Sequence, residues 1–289
     1  MYTIFTDTDT DMTPKEAEVF GYHLISMPYS LDEKEIFPYE DFEEFDSHEF
    51  YNMLRKGTMP KTSALSPVKY IEYFEPYFQQ GQDILYVHFS RAMSGTFSAL
   101  DIAQKELKEK YPERNLYLVD TKGITIGSLN IVKEIGDMYL QGASVEEILK
   151  WAETEVDKFA IYFFAENLTF FRRSGRVNGV TAVMGNLLGV HPIIYMGKDG
   201  MMTSIDKARG KKATLEKIMQ YVDVLQDAIK SHRVIIGHTD ALETAQLLGD
   251  MMKKKYGDDL RLEYVVTNPT AGSHCGPNGV GISFHAIER

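Results

Sequence analysis

Only one cysteine, Cys275, occurs in the 289 residues, so no internal disulfide can form and the chain suits a reducing compartment. No apolar run reaches the roughly eighteen residues that a membrane-spanning helix needs. The first residues, Met1 to Asp7, carry no basic stretch followed by a long apolar one, so no secretory signal is expected. These absences point to a cytoplasmic protein without stable membrane insertion. Positive charge is also short: 31 Lys and Arg against 42 Asp and Glu leave a formal charge of −11. A field of that sign repels phosphate backbones and anionic bilayers, which argues against nucleic acid as a partner. Repeats, low-complexity tracts and Pro/Gly-rich linkers are missing too. What is present is an ordinary folded composition, 44% hydrophobic and 25% charged.

Short β-branched apolar runs alternate with longer amphipathic stretches, which predicts an α/β fold. Expected strands are Tyr2–Thr6, Tyr22–Leu31, Ile84–Phe89, Leu116–Val119, Phe159–Phe164, His191–Met196, Met201–Ile205, Arg233–His238, Leu260–Val266 and Gly281–Ala286. Expected helices lie near Ser66–Gln79, Thr96–Lys110, Gly127–Leu140, Val145–Val156, Ala208–Ile229 and Leu242–Lys255. Ser94 and Ser144 read as N-caps, the latter with Glu147 in a capping box. Helical crossovers imply a mostly parallel first sheet. Gly197-Lys198-Asp199-Gly200 between two strands reads as a hairpin, so the second sheet should be mixed. The expected division is an N-terminal α/β domain over 1–157 and a C-terminal one over 158–289. Asp41–Asp46 is expected as a solvated loop or helix start.

Five segments could carry chemistry. Asp9-Thr10-Asp11-Met12-Thr13 fits the D-x-D-x-T pattern of haloacid-dehalogenase-like phosphatases, with Asp9 and Asp11 as Mg2+-assisted nucleophile and acid/base. Its spacing from the preceding strand is too long, and the favoured reading has Asp7 and Asp9 accepting backbone N–H bonds in a turn. In Pro60-Lys61-Thr62-Ser63-Ala64-Leu65-Ser66-Pro67, Ser66 with Pro67 accounts for a helix start and Thr62 and Ser63 are left without an assigned structural role; they could donate hydroxyls to an anion, although hydroxyls before a helix usually mean capping. Ser94 and Gly95 follow a strand and precede a helix, where ligands of α/β domains collect. Pro269 to Gly281 holds four glycines and two prolines and is expected as an irregular loop carrying His274. His274 could donate to an anion, and adjacency to Cys275 does not make a catalytic pair. Last, Arg172, Arg173, Arg176, Lys207, Arg209, Lys211 and Lys212 form a basic set in an acidic chain, either solvated charge or a docking patch.

Taken in order, these segments resemble the DegV family. Thr6-Asp7-Thr8 matches its T-D-S-type motif, Pro60 to Ser66 its P-x-T-S-x-x-S, and Ser90 to Phe97 its S-x-x-x-S-G-T-(Y/F). Val119-Asp120-Thr121 matches a V-D-(S/T) strand end, Leu168 to Arg176 the L-x-x-L-x-x-G-G-R run, and His274 to Pro277 the H-x-G-P loop. Ser174 stands where the family commonly has Gly, and Asn278 departs likewise after the loop proline. The resemblance implies a two-domain α/β protein that is not an enzyme and needs no cofactor or metal. It implies a long-chain fatty acid in an internal tunnel, its carboxylate held by Thr62, Ser94 and His274. Ser63, Gly95, Arg176 and Arg209 would serve the head group or a docking face for a separate fatty acid kinase that makes acyl phosphate. Met184, Met196, Met201 and Met202 are candidates for an adaptable acyl tunnel, although ordinary core packing accounts for most methionines. A ketone- or sugar-binding kinase subunit, with His274 bonded to a carbonyl, is a third reading.

Overall fold

The computed structural model describes residues 2–166, 168–178 and 189–289. In chain order the first half contains β1 (Tyr2–Asp7), α1 (Pro14–Phe20), β2 (Tyr22–Ile25), β3 (Tyr29–Leu31), β4 (Lys34–Ile36), α2 (Ser47–Arg55), β5 (Lys61–Thr62), α3 (Pro67–Gln79), β6 (Asp83–His88), α4 (Thr96–Lys110), β7 (Leu116–Asp120), α5 (Ile126–Leu140) and α6 (Val145–Glu155). The second half contains β8 (Phe159–Phe164), α7 (Thr169–Ser174), β9 (Val177–Asn178), β10 (Val190–Met196), β11 (Met202–Arg209), α8 (Lys211–Leu225), β12 (Arg233–His238), α9 (Leu242–Tyr256), β13 (Arg261–Val266), α10 (Pro269–Cys275) and β14 (Val280–His285).

Three sheets result. The first is fully parallel, in the order β2-β1-β6-β7. The second is mixed, in the order β13-β12-β14-β8-β10-β11-β9, and includes the antiparallel hairpin of β10 and β11. A small antiparallel sheet, β4-β3-β5, joins Tyr29 to Thr62 across the chain. The α/β class, the parallel first sheet and the mixed second sheet are as the sequence pattern predicts.

Some expectations need correction. The single strand expected over Tyr22–Leu31 is two strands in two sheets, because Ser26 to Pro28 leave the parallel ladder. Ala208 belongs to β11, and the helix starts only at Lys211, after Gly210 turns the chain with φ +83°. The helices α1, α2, α7 and α10 and the strands β4, β5 and β9 were not anticipated. For α1 the signal was present, since Thr13 and Glu16 close a capping box with Pro14 at the first helical position. Asp46 caps α2 by accepting the Glu49 N–H, and Ser66 and Ser144 cap α3 and α6 as expected.

The core is layered around α5, of whose fifteen residues ten are buried. Along β8 the side chains alternate: Phe159 and Ile161 belong to the core that α5 shares with the first sheet, whereas Ala160, Tyr162 and Phe164 belong to the core under α8 and α9. Glycine lets α5 approach its neighbours. A Cβ on Gly136 would lie 2.7 Å from Phe20 Cδ1 and 3.0 Å from Phe20 Cβ. The far end of α5 closes with ions: Lys133 bonds Glu16 at 2.8 Å and Glu263 at 2.6 Å, and Arg233 bonds Glu263, Glu134 and Asp137 at 2.9–3.1 Å. Both cations are almost fully buried, so each charge depends on its carboxylates.

Gly136→Ala separates packing from helix propensity. Alanine should gain about 1 kcal/mol in propensity yet lose about 1–3 kcal/mol by overpacking Phe20. A net fall in urea midpoint is expected. A rise would show that Phe20 yields freely.

Candidate functional site

Most of the residues singled out for anion binding line one cavity at the carboxyl ends of strands from the two large sheets. Thr62 ends β5, held in place by pairing with Tyr29. His274 comes from the last turn of α10, which corrects the expected loop over 269–281. Asn268 Oδ1 accepts the Ala271 N–H at 2.9 Å and Pro269 takes the first helical position, so the segment has a proper helix start. Asn268 is fixed in turn by donating its N–H and Nδ2 to Asp11 Oδ1, at 2.8 and 2.7 Å. Gly272 allows the helix to sit directly on the Tyr51 ring, since a Cβ there would overlap the phenol.

Thr62 Oγ1 and His274 Nε2 lie 2.9 Å apart, across 212 positions of sequence. Burial, then Arg176 and Arg173, pull the His274 pKa down to about 4, so the ring is neutral near pH 7. When Nε2–H donates to Thr62 Oγ1, the threonine hydroxyl keeps its own proton for an acceptor in the cavity. Ser94 also lines the cavity, but the N-cap of α4 is Gly95. Ser94 Oγ instead accepts the Thr96 N–H at 3.2 Å, leaving its proton free. Ser63 and Arg176 complete this part of the wall; Ser63 donates to Glu35, and the Arg176 guanidinium donates to Ser174 O. Gly95 is exposed and off the wall, with open space at its Cβ position. Arg209 is exposed at the end of β11, paired with Val190, and does not reach the cavity.

Elsewhere the wall is largely apolar, with Met27, Phe89, Met93, Ile124, Ile126, Ile161, Phe163, Phe171 and Met202. Counted out to its open mouth, solvent space included, the volume is about 980 Å3. Of the methionines proposed for a tunnel, Met202 lines it. Met196 is buried in the core away from it, Met201 is half-buried off its wall, and Met184 lies outside the described residues.

The three early aspartates are buried. Asp7 Oδ2 accepts from the Tyr86 hydroxyl at 2.9 Å and from the Phe89 N–H at 3.2 Å, so it braces the neighbouring strand β6 rather than only its own turn as expected. Asp9 departs from the turn role expected of it: it lines the cavity, and among the described residues its Oδ1 has no hydrogen-bond partner. Burial lifts the Asp7 and Asp11 carboxyls to about 7. Asp9 is raised well above the usual range by burial and then by Asp7 and Asp11. Asp11 Oδ1 is committed to Asn268, and among the described residues no group of three or more His, Cys, Asp or Glu is placed to hold a metal ion. Cys275 lines the cavity with its thiol pushed up to about 12 by burial, the state of an unreactive thiol. No described helix is long and apolar enough to cross a membrane.

Sequence reasoning overlooked His238, Thr239, Thr125 and Thr267, all on the cavity wall. His238 ends β12, and the strand-end rule that singled out Ser94 could have found it. Its Nδ1 accepts the Ala241 N–H at 3.2 Å, which places the ring proton on Nε2.

A family model described as the DegV family matches residues 1–286. A DegV domain-containing protein of Clostridium perfringens is 32% identical over 284 residues, covering 98% of this chain and 97% of its own length. Among solved structures, a DegV lipid-binding protein from Thermotoga maritima superposes with a TM-score of 0.83 at 23% identity, covering all of both chains. A stearic-acid-binding protein from Eubacterium ventriosum gives 0.85 at 22%, covering 99% of this chain and 98% of its own. A fatty-acid-binding DegV protein from Thermus thermophilus gives 0.84 at 22%, covering 99% of each chain.

The buried aspartates carry a pH prediction. A folded carboxyl with a pKa near 7, against 3.8 unfolded, holds a proton that the unfolded chain has lost between those values. Its contribution is fully present below pH 3.8 and is lost as pH rises through 7. The lowered histidines His88 and His274 act in the opposite sense but are common to wild type and variant. Asp7→Asn should therefore flatten the fall in stability between pH 4 and 7, by up to about 1.4 kcal/mol per pH unit. Parallel pH profiles for the two proteins would refute the assignment.

Proposed function

Because the chain belongs to the DegV family, we propose that it binds a long-chain fatty acid in this cavity, with the Thr62 and Ser94 hydroxyls holding the carboxylate and His274 completing the site by orienting Thr62. The observation that carries the reading is the Thr62–His274 contact at 2.9 Å inside a strand-end cavity with a large apolar share of wall. The related structures that bind stearic acid and other fatty acids support it. Thr62 and Ser94 each keep a hydroxyl proton for a carboxylate oxygen, and His274 orients Thr62.

Burying about fifteen methylenes at ~0.8 kcal/mol each gives roughly 12 kcal/mol before ordering costs. A hydroxyl–carboxylate bond contributes about 1.5–3 kcal/mol. The tail sets affinity and the head-group contacts set orientation. A protein that orients a carboxylate without transforming it suits presentation to a partner, a fatty acid kinase that phosphorylates the bound acid. In this reading Arg176 serves the head group and exposed Arg209 serves the docking face, the protein acts in the cytoplasm, and it is not itself an enzyme. Residues 1–157 supply the hydroxyls and residues 158–289 the basic turns and His274, so the ligand lies between two domains.

Organic-solvent extraction of the purified protein followed by mass spectrometry should return a stoichiometric fatty acid, and its absence would count against the reading. Ser94→Ala should weaken lipid binding by less than about tenfold. Acyl-phosphate formation with the kinase should fall further. Equal small losses in both assays would separate Ser94 from head-group orientation.

A further inference from the structure

Beyond the carboxylate cradle, and apart from His238 and Thr267, two adjacent polar side chains on the cavity wall make no side-chain hydrogen bond among the described residues. Asp9 is 7% exposed, and its Oδ1 has no hydrogen-bond partner among the described residues. Thr125, 8% exposed, precedes α5 and makes no side-chain cap bond to it. The Thr125 N–H donates to Asp9 O at 2.8 Å, so the two residues sit side by side, and both line the cavity. The neighbouring aspartates lie off the cavity wall: Asp7 Oδ2 accepts from Tyr86 and the Phe89 N–H and Asp11 Oδ1 from Asn268, each leaving its other oxygen unpaired among the described residues, and Thr270 donates to Met27 O.

A buried polar group without a partner opposes folding. Asp9 cannot be explained as a brace, because its carboxyl grips nothing. Burial, then Asp7 and Asp11, favour its protonated and uncharged form, which offers one donor and an acceptor together. The Thr125 hydroxyl offers the same pair. A methylene chain satisfies neither, and a second carboxylate would bring more negative charge beside Asp7 and Asp11. A neutral hydroxyl matches both, giving and receiving a hydrogen bond. We propose that Asp9 and Thr125 form a second polar subsite that takes a hydroxyl carried on the acyl chain, making hydroxylated fatty acids the preferred ligands. This rests on the fatty-acid reading of the cavity and narrows its ligand class.

The test is equilibrium binding to delipidated full-length protein of stearic acid and of monohydroxystearic acids with the hydroxyl at successive chain positions. At least one isomer should bind wild type about tenfold more tightly than stearic acid. Asp9→Leu should abolish that preference while leaving stearic acid within about twofold and the thermal midpoint unchanged or higher. Thr125→Val, which removes only the hydroxyl, should reduce the preference in a separately folded variant. Equal affinity of wild type for stearic acid and every isomer overturns the subsite, as expected if only water bonds Asp9. Equal weakening of both acids by Asp9→Leu also overturns it and moves Asp9 into the carboxylate cradle. Binding of neither acid to wild type overturns the fatty-acid reading, and the subsite with it.

Discussion

Burial of one helix between two sheets is the constraint on which the rest depends. α5 is apolar on most of its circumference and has few exposed residues, so it must be covered on both sides. β8, β12 and β14 cover one side; α1, the turn after β1 and the core of the parallel sheet cover the other. Glycines at 127 and 136 set how closely Ile161 and Phe20 approach, and the Lys133 and Arg233 ion cluster closes the far end. At the near end, Ile124, Thr125 and Ile126 form part of the cavity wall. The cavity therefore lies where the helix begins and the strands of both sheets end, the usual location for ligands in α/β folds.

Much of this layout is legible in the sequence because the central strands are short, β-branched and bounded by turn residues. The parallel first sheet and the hairpin of the second follow from connection lengths alone. What escapes is structure fixed by tertiary contact. The segment Lys61–Thr62 is a strand only because Tyr29 and Ser30 pair with it. α10 looks like a loop because its glycines outweigh its cap, yet Gly272 is there for the Tyr51 ring. Tyr22–Leu31 has one apolar pattern but serves two sheets, a choice made by Ser26 bonding Pro38 O and Tyr73.

The candidate site was legible as residue types but not as roles. Thr62, Ser94 and His274 each admitted a cap or loop explanation, and pattern alone gave no reason to group them. The structure does group Thr62 with His274, and it shifts Ser94 out of the N-cap that Gly95 occupies. Asp9 was misjudged for a general reason: a strand-end turn rich in Asp and Thr normally spends every carboxyl on backbone N–H groups. Asp7 and Asp11 each spend one oxygen on partners and leave the other unpaired, whereas Asp9 makes no side-chain hydrogen bond among the described residues. No sequence pattern reports an unpaired oxygen.

Net charge and local potential point in opposite directions here, and the proposed carboxylate ligand would meet the local one. The chain carries −11 overall, which by itself would repel a carboxylate. At His274 the largest influence is burial, but Arg176 and then Arg173 lower its pKa further. An arginine that makes it harder to add a proton to an imidazole makes it easier to hold an anion at the same place. The two arginines thus place positive charge beside Thr62, although burial is the larger reason that the histidine is depressed. Because the ring stays neutral, it carries no charge of its own to clamp the anion, and the hydroxyls supply hydrogen bonds of moderate strength. Under the proposed fatty-acid reading, such a cradle would fix direction while the apolar wall would supply affinity, leaving the head group free of a buried ion pair.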